Sequence, residues 1–302
     1  MSPAPKSHWA RLLTESRNPR SRRLDTMPTE RVVALVLDED RRALLAAGHE
    51  RRAIARAARL AADTLAGGGD LVFLGAGTSG RLGVLEAAEC PPTFGCDPRR
   101  IRAVMAGGQD SVFRSEEGAE DREDRGRREG RRLRRRDLLV GISASSVTPF
   151  VRGGLGGARA KGARTVLVTC APGRGLRGLA DVVIAVATGP EVLTGSTRLK
   201  AGSATKAVLN AITTAAMVRL GKTYENLMVD LRPSSDKLVD RSRRIVAAAA
   251  DVGAAKAVRL LAASDGEVKT AIVMGRLGSD VSEARERLAR ADGHVRKALA
   301  LK

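Results

Sequence analysis

The sequence predicts an α/β protein built on a five-stranded parallel sheet, with helices before it and a helical tail after it. Three observations lead there. The 302 residues are 43% hydrophobic but only 2% aromatic, so the core is made of Ala, Leu and Val, small side chains that suit close helix–sheet packing. Between residues 68 and 190, short apolar runs alternate with helical stretches. The runs are continuously apolar rather than alternating, as in strands buried on both faces.

The elements follow in order. Residues 1–30 are polar and rich in Arg, Pro and Ser, and read as an irregular arm. From Glu30 to Ala66 the apolar spacing is helical, and Gly67–Gly69 ends the run. Five strands are expected, at Leu71–Leu74, Ile101–Met105, Leu138–Ile142, Thr165–Val168 and Val182–Val186. Their alternation with helices implies right-handed βαβ units. A long helix is expected over Leu199–Leu220, closed by Gly221. The tail from Asp236 reads as short helices punctuated by Gly253, Asp265-Gly266, Gly278 and Asp292-Gly293.

Composition narrows the function classes. Cys90, Cys96 and Cys170 form no CxxC pair and accompany no His cluster, so neither a zinc site nor a disulfide framework is expected. Met1–Trp9 lacks the apolar core of a signal peptide, and no run is long enough to span a bilayer. The expectation is a cytoplasmic protein without a membrane partner. The formal net charge of +19 raises nucleic acid as a partner. However, the densest basic run, Arg127–Arg136, interleaves no aromatics and belongs to no nucleic-acid motif, so it reads as a solvated helix face.

Ligands of open parallel sheets bind beyond the carboxyl ends of the strands. After the first strand comes Gly75-Ala76-Gly77-Thr78-Ser79-Gly80, a glycine-rich turn opening a helix near Ser79. Free backbone N–H groups and the positive helix end favour a phosphate there. The turn also fits GxGxxG, but the segment after strand two, Met105–Gln109, lacks the acidic residue of a dinucleotide site. After strand three comes Ser143-Ala144-Ser145-Ser146-Val147-Thr148-Pro149, with four hydroxyls and a proline suited to an early helical position. After strand five, Glu191, Ser196, Thr197, Arg198 and Lys200 precede or open another helix. Three such loops suit a phosphorylated, polyhydroxylated ligand. The candidate binding residues are therefore Gly77, Thr78, Ser79, Ser143, Ser145, Ser146, Thr148, Glu191, Ser196, Thr197, Arg198 and Lys200. Two glutamates stand near these turns. Glu89 sits before Pro91-Pro92, expected to end the helix, and Glu120 sits in Gly118-Ala119-Glu120-Asp121.

These motifs have a counterpart. TESRNP at Thr14–Pro19, GAGTSGRLGVLEAAECPPTFG at Gly75–Gly95, GAED at Gly118–Asp121, GPEVLTGSTRLKAG at Gly189–Gly202 and NLMVD at Asn226–Asp230 run in one order. In them the chain resembles the N-acetylmuramic acid 6-phosphate etherases, lyases built on the sugar isomerase (SIS) fold. The resemblance covers roughly residues 10 to 300. It implies a three-layer αβα sandwich, with an N-terminal arm over 1–30, a phosphosugar-binding domain with flanking helices over 31–235, and a helical, UBA-like domain over 236–302. It implies a phosphorylated amino sugar as substrate, no cofactor or metal, and a homodimer. The implied reaction cleaves the D-lactyl ether at C3 by elimination, then hydration. Glu89 matches the proton donor to lactate, and Glu120 the second catalytic glutamate, read as the C2 base. Phosphate binding carries over onto Thr78, Ser79 and Ser145, and the third loop onto Ser196–Lys200. Such an acid must be raised from the usual glutamate pKa of about 4.3, and the flanking prolines and apolar segments are expected to bury it.

Two departures stand out. The family usually reads ASGRTPY where this chain has Ala144–Phe150 as ASSVTPF, so Ser146 replaces a glycine and Val147 an arginine. Glu86 replaces the usual aspartate. Two rival readings are a non-catalytic phosphosugar sensor, like the glucokinase regulatory protein, and a phosphosugar isomerase or SIS-type transcription regulator. Retention of both glutamates favours the enzyme. Residues 30–66 show no helix-turn-helix for a regulator.

Overall fold

A computed structural model of the chain describes residues 12–114, 116–231 and 235–301. The first part of the expected arm, residues 1–11, lies outside the described residues, and the remainder forms short 3-10 turns. The chain divides into two compact units, Met1–Ala87 with Arg99–Thr213 and Ala88–Pro98 with Thr214–Lys302.

The first unit holds the sheet. Strands β1 (Leu71–Gly75), β2 (Ile101–Met105), β3 (Leu138–Ile142), β4 (Arg164–Thr169) and β5 (Val182–Ala185) pair in parallel in the order β2-β1-β3-β4-β5. The register aligns Gly75 with Met105 on one side and Ile142 on the other. All five residues of β1 and of β3 are buried, as continuous apolar runs require. The N-terminal helical run is split into α1 (Thr29–His49) and α2 (Arg51–Ala66) rather than continuous. The break falls at Glu50, just after Gly48 and His49, two weak helix formers.

The two faces of the sheet are covered differently. On one, Val72, Leu74, Leu139 and Leu167 pack with Phe150, Val151 and Leu155 of α5 (Pro149–Ala160). On the other, Phe73 and Ile142 meet Gly83 of α3 (Gly77–Phe94). The first half of the basic run, Arg127–Arg131, lies in helix α4 (Glu123–Arg131), which packs directly on α5, and the second half, Arg132–Arg136, forms the turn after that helix rather than a helix face. Small residues permit this approach, since a Cβ on Gly126 would stand 1.9 Å from the Phe150 carbonyl oxygen. Its arginines face solvent, where Arg127 and Arg128 pair with Glu123 and Asp124 one turn earlier.

Helix α3 departs from expectation at its end. Pro91 and Pro92 lie inside it, because their fixed φ is helical and only two intrahelical bonds are lost. Termination comes at Gly95, whose φ of +61° breaks the helix while its N–H still reaches the Pro91 carbonyl at 2.9 Å. Helix α6 (Lys200–Arg219) follows the sheet.

The second unit has its own core. The hairpin β6 (Thr223–Tyr224) and β7 (Leu227–Met228) precedes α7 (Asp236–Ala250), α8 (Ala254–Ala263), α9 (Val268–Leu277), α10 (Val281–Arg290) and α11 (Val295–Ala300). Ala271, Ile272 and Val273 of α9 are fully buried at its centre, with Val246 and Ala298.

Replacing Gly126 by Ala is expected to destabilise the protein by about 1–3 kcal/mol, since backbone rather than a movable side chain occupies the space. Urea unfolding measures it, and an unchanged midpoint would show that α4 can lift from α5 freely.

Candidate active site

Parallel strands aim their carboxyl ends the same way, and the sheet changes winding direction between β1 and β3. A crevice is expected at that point. The turns after β1 and β3 meet there around a cavity of about 310 Å³. Gly77, Thr78 and Ser79 line it from the start of α3, and Ser145, Thr148 and Pro149 from the start of α5. The first-turn N–H groups of both helices have no partner within their own helix, so they offer donors to an anion. Gly75 and Gly80 bring β1 and α3 together, since a Cβ on Gly75 would lie 2.7 Å from the Gly80 nitrogen. That is the local reason for the glycine spacing in this turn.

The structure sorts the candidates. Gly77, Thr78, Ser79, Ser145, Thr148, Thr197 and Glu120 line the cavity. Ser143 is buried behind it, its hydroxyl hydrogen-bonded to Thr148 at 2.8 Å. Ser146, Ser196 and Arg198 are not among the lining residues. Glu191 and Lys200 are buried, 1% and 3% exposed, and take structural partners. Glu191 accepts the backbone N–H groups of Lys200 and Ala201 at 3.3 and 3.0 Å, capping α6. Burial pushes its carboxyl above the ordinary range, against the pull of those amides. The Lys200 ammonium pairs with Glu39, which is 3% exposed. Burial opposes the Glu39 charge, but hydrogen bonds from Lys200 and Arg20 outweigh it and hold the carboxyl below its ordinary range.

Leu12, Thr14, Glu15 and Asp121 also line the cavity, though the sequence reading gave none of them a role. The available signal was the TESRNP motif, which contains Thr14 and Glu15. Among the described residues the lining carries Glu15, Glu120 and Asp121 but no Lys or Arg, so from these an anion meets hydroxyls and N–H groups rather than a cation. Among the described residues, no group of His, Cys, Asp and Glu is arranged to hold a metal ion.

Glu120 stands where this cavity adjoins a second one of about 310 Å³, and Ala76, Gly77 and Glu120 line both. Arg81 lines the second, donating from Nε to the Val112 carbonyl at 2.7 Å and from Nη2 to the Ser111 carbonyl at 2.9 Å. It thereby ties the loop after β2 to α3. Glu89 lies on the part of α3 that belongs to the second unit, and it is exposed. The burial expected from Pro91 and Pro92 is therefore absent, because the helix runs on through them instead of turning back over the carboxylate. Cys170 is buried, which pushes its thiol up to about 11 and leaves it a packing residue.

The turn after β3 carries strain. Ser146 has a φ of +66°, the left-handed region that favours glycine. Ser146→Gly is expected to raise stability by about 0.5–1 kcal/mol, after allowing for the greater chain entropy of glycine. A urea midpoint no higher than that of the wild type would show that the serine is not strained.

Comparison with known proteins gives the setting. Residues 53–158 match the family described as the glucokinase regulatory protein N-terminal SIS domain. The N-acetylmuramic acid 6-phosphate etherase of Synechococcus sp. (strain CC9902) is 48% identical over 297 residues, covering 98% of this chain and 94% of that protein. The one from Salinibacter ruber is 47% identical over 291 residues, covering 95% and 94%. The one from Salmonella choleraesuis is 46% identical over 290 residues, covering 95% and 98%. Among solved structures, a putative sugar-phosphate isomerase from Listeria monocytogenes aligns with a TM-score of 0.48 and 18% identity, over 65% of this chain and 94% of that one. A putative phosphosugar isomerase from Bacteroides fragilis aligns with a TM-score of 0.47 and 18% identity, over 66% and 94%. With near-half identity sustained over almost its whole length, the chain belongs to the N-acetylmuramic acid 6-phosphate etherases, a family of SIS-fold lyases.

Proposed function

We propose that this etherase binds the phosphate of N-acetylmuramic acid 6-phosphate on the turns after β1 and β3, and that Glu120 and Glu89 carry the protons of the reaction. The observation that carries the reading is the cavity lined by Thr78, Ser79, Ser145 and Thr148 with Glu120 in its wall. Four hydroxyls and two helix starts suit a phosphate dianion without a cation.

The chemistry then needs two proton carriers and no redox step. With the sugar ring open, Glu120 takes the C2 proton, activated by the C1 aldehyde. The electron pair forms the C2–C3 double bond and expels lactate, whose ether oxygen Glu89 protonates. Water then adds at C3, and C2 regains a proton. The products are N-acetylglucosamine 6-phosphate and D-lactate.

We also place the enzyme in the cytoplasm, as a homodimer. No helix among the described residues is long and apolar enough to cross a membrane. The exposed Glu89 suits a pairing in which a second copy supplies the burial that its own helix does not.

The test is lactate release from N-acetylmuramic acid 6-phosphate. Glu89→Ala and Glu120→Ala are each expected to lose about 10²–10⁴-fold in kcat. Wild type turning over in D₂O is expected to incorporate deuterium at C2. A folded wild type that binds N-acetylglucosamine 6-phosphate but releases no lactate sinks the enzyme reading and leaves a phosphosugar sensor. Sedimentation that finds only monomer at working concentration removes the dimer.

A further inference from the structure

One wall of the cavity is made by the segment Leu12–Ser21, through Leu12, Thr14 and Glu15. The segment has little regular structure of its own, only the short turns Leu13–Glu15 and Pro19–Ser21. Its position is set by a few polar bonds. The Thr14 carbonyl accepts from the Gly195 N–H at 3.2 Å. The Asn18 side-chain amide donates to the Pro190 carbonyl and to Glu39, both at 3.0 Å. Arg20 donates to the other Glu39 oxygen at 2.6 Å. The Glu39 oxygen that accepts from Asn18 also accepts from buried Lys200, the first residue of α6. A single buried carboxylate thus gathers Asn18 and Arg20 of the segment and Lys200 of the sheet-side helix. The Thr14 hydroxyl is buried and has no hydrogen-bond partner among the described residues.

We propose that Leu12–Ser21 is a binding strap of the substrate cavity and that Glu39 is the positioning residue that holds it in place. This rests on the phosphosugar reading of the same cavity. The phosphate occupies the turns after β1 and β3, and the strap faces the hexose. The Glu15 carboxylate accepts hydrogen bonds from sugar hydroxyls, which a neutral polyol supplies without the charge repulsion that a phosphate meets there. Glu39 touches no substrate. Only an ionised carboxylate at this position can accept from an amide, a guanidinium and an ammonium together.

The experiment compares Glu39→Gln and Glu15→Ala with the wild type in two assays: lactate release, and competitive inhibition of it by inorganic phosphate. A strap acting on the hexose raises KM by roughly 10-fold or more in both variants, the loss of one or two charge-assisted hydrogen bonds. It leaves kcat within about 3-fold, and the inhibition constant of inorganic phosphate within about 2-fold, both below the ~1 kcal/mol scale of a single hydrogen bond. A purely structural Glu39 would lower the active fraction, and so kcat, without moving KM. Unmoved KM in folded variants overturns the proposal, as does a phosphate constant that rises in step with KM. Should Glu39→Gln fail to fold, Glu15→Ala decides alone, since that side chain is exposed. A wild type silent in lactate release is the failure of the etherase reading. An active wild type with unmoved KM in both variants is the failure of the strap only.

Discussion

The constraint on which the site depends is the parallel register of β1 between β2 and β3. A parallel strand cannot return by a hairpin, and β1 and β3 each hand over to a helix, α3 and α5, that starts at the same sheet edge. The change of winding at β1 and β3 opens a crevice between two of those starts. Every helix start leaves N–H groups that its own turns cannot satisfy. The fold therefore makes a donor-rich pocket before any side chain is chosen. The hydroxyls of Thr78, Ser79, Ser145 and Thr148 add to donors that the backbone already presents.

Charge is distributed around this pocket in an unexpected way. The chain carries a net +19, yet among the described residues no Lys or Arg lines the cavity. The cations near the site are used as fasteners. Lys200 is buried against Glu39, and Arg81 ties the loop after β2 to α3. Basic charge lies on the surface instead, as in the turn after α4, where Arg132, Arg134, Arg135 and Arg136 are exposed, while close glycine contacts seat α4 itself. Among the described residues, the cavity wall therefore sets three carboxylates, Glu15, Glu120 and Asp121, beside neutral hydroxyls and N–H groups.

Much of the fold was legible because β1 and β3 are continuous apolar runs bounded by glycines or polar residues. Leu138–Ile142 could be read to the residue. The break at Glu50 and the passage of α3 through Pro91 and Pro92 could not, since local signals there point both ways and packing decides. The same limit governed the site. The turns after β1 and β3 declared themselves by glycines and hydroxyls at strand ends. Glu191 and Lys200 carry the same local signature, yet they are buried as partners of the α6 start and of Glu39.

The sequence by itself determined which turns could hold an anion, because that depends on local backbone freedom and on hydroxyls within a few residues of a strand end. Through its family resemblance it also offered Glu89 and Glu120 as candidates, since the motifs that contain them are contiguous. Only the tertiary structure decided which polar residues face the cavity and which are consumed in holding it. Asn18, Glu39 and Lys200 are far apart along the chain, and 161 residues separate Glu39 from Lys200. No local pattern can report a buried charge whose partners arrive from elsewhere in the fold, because its energy depends on desolvation and geometry that exist only after packing.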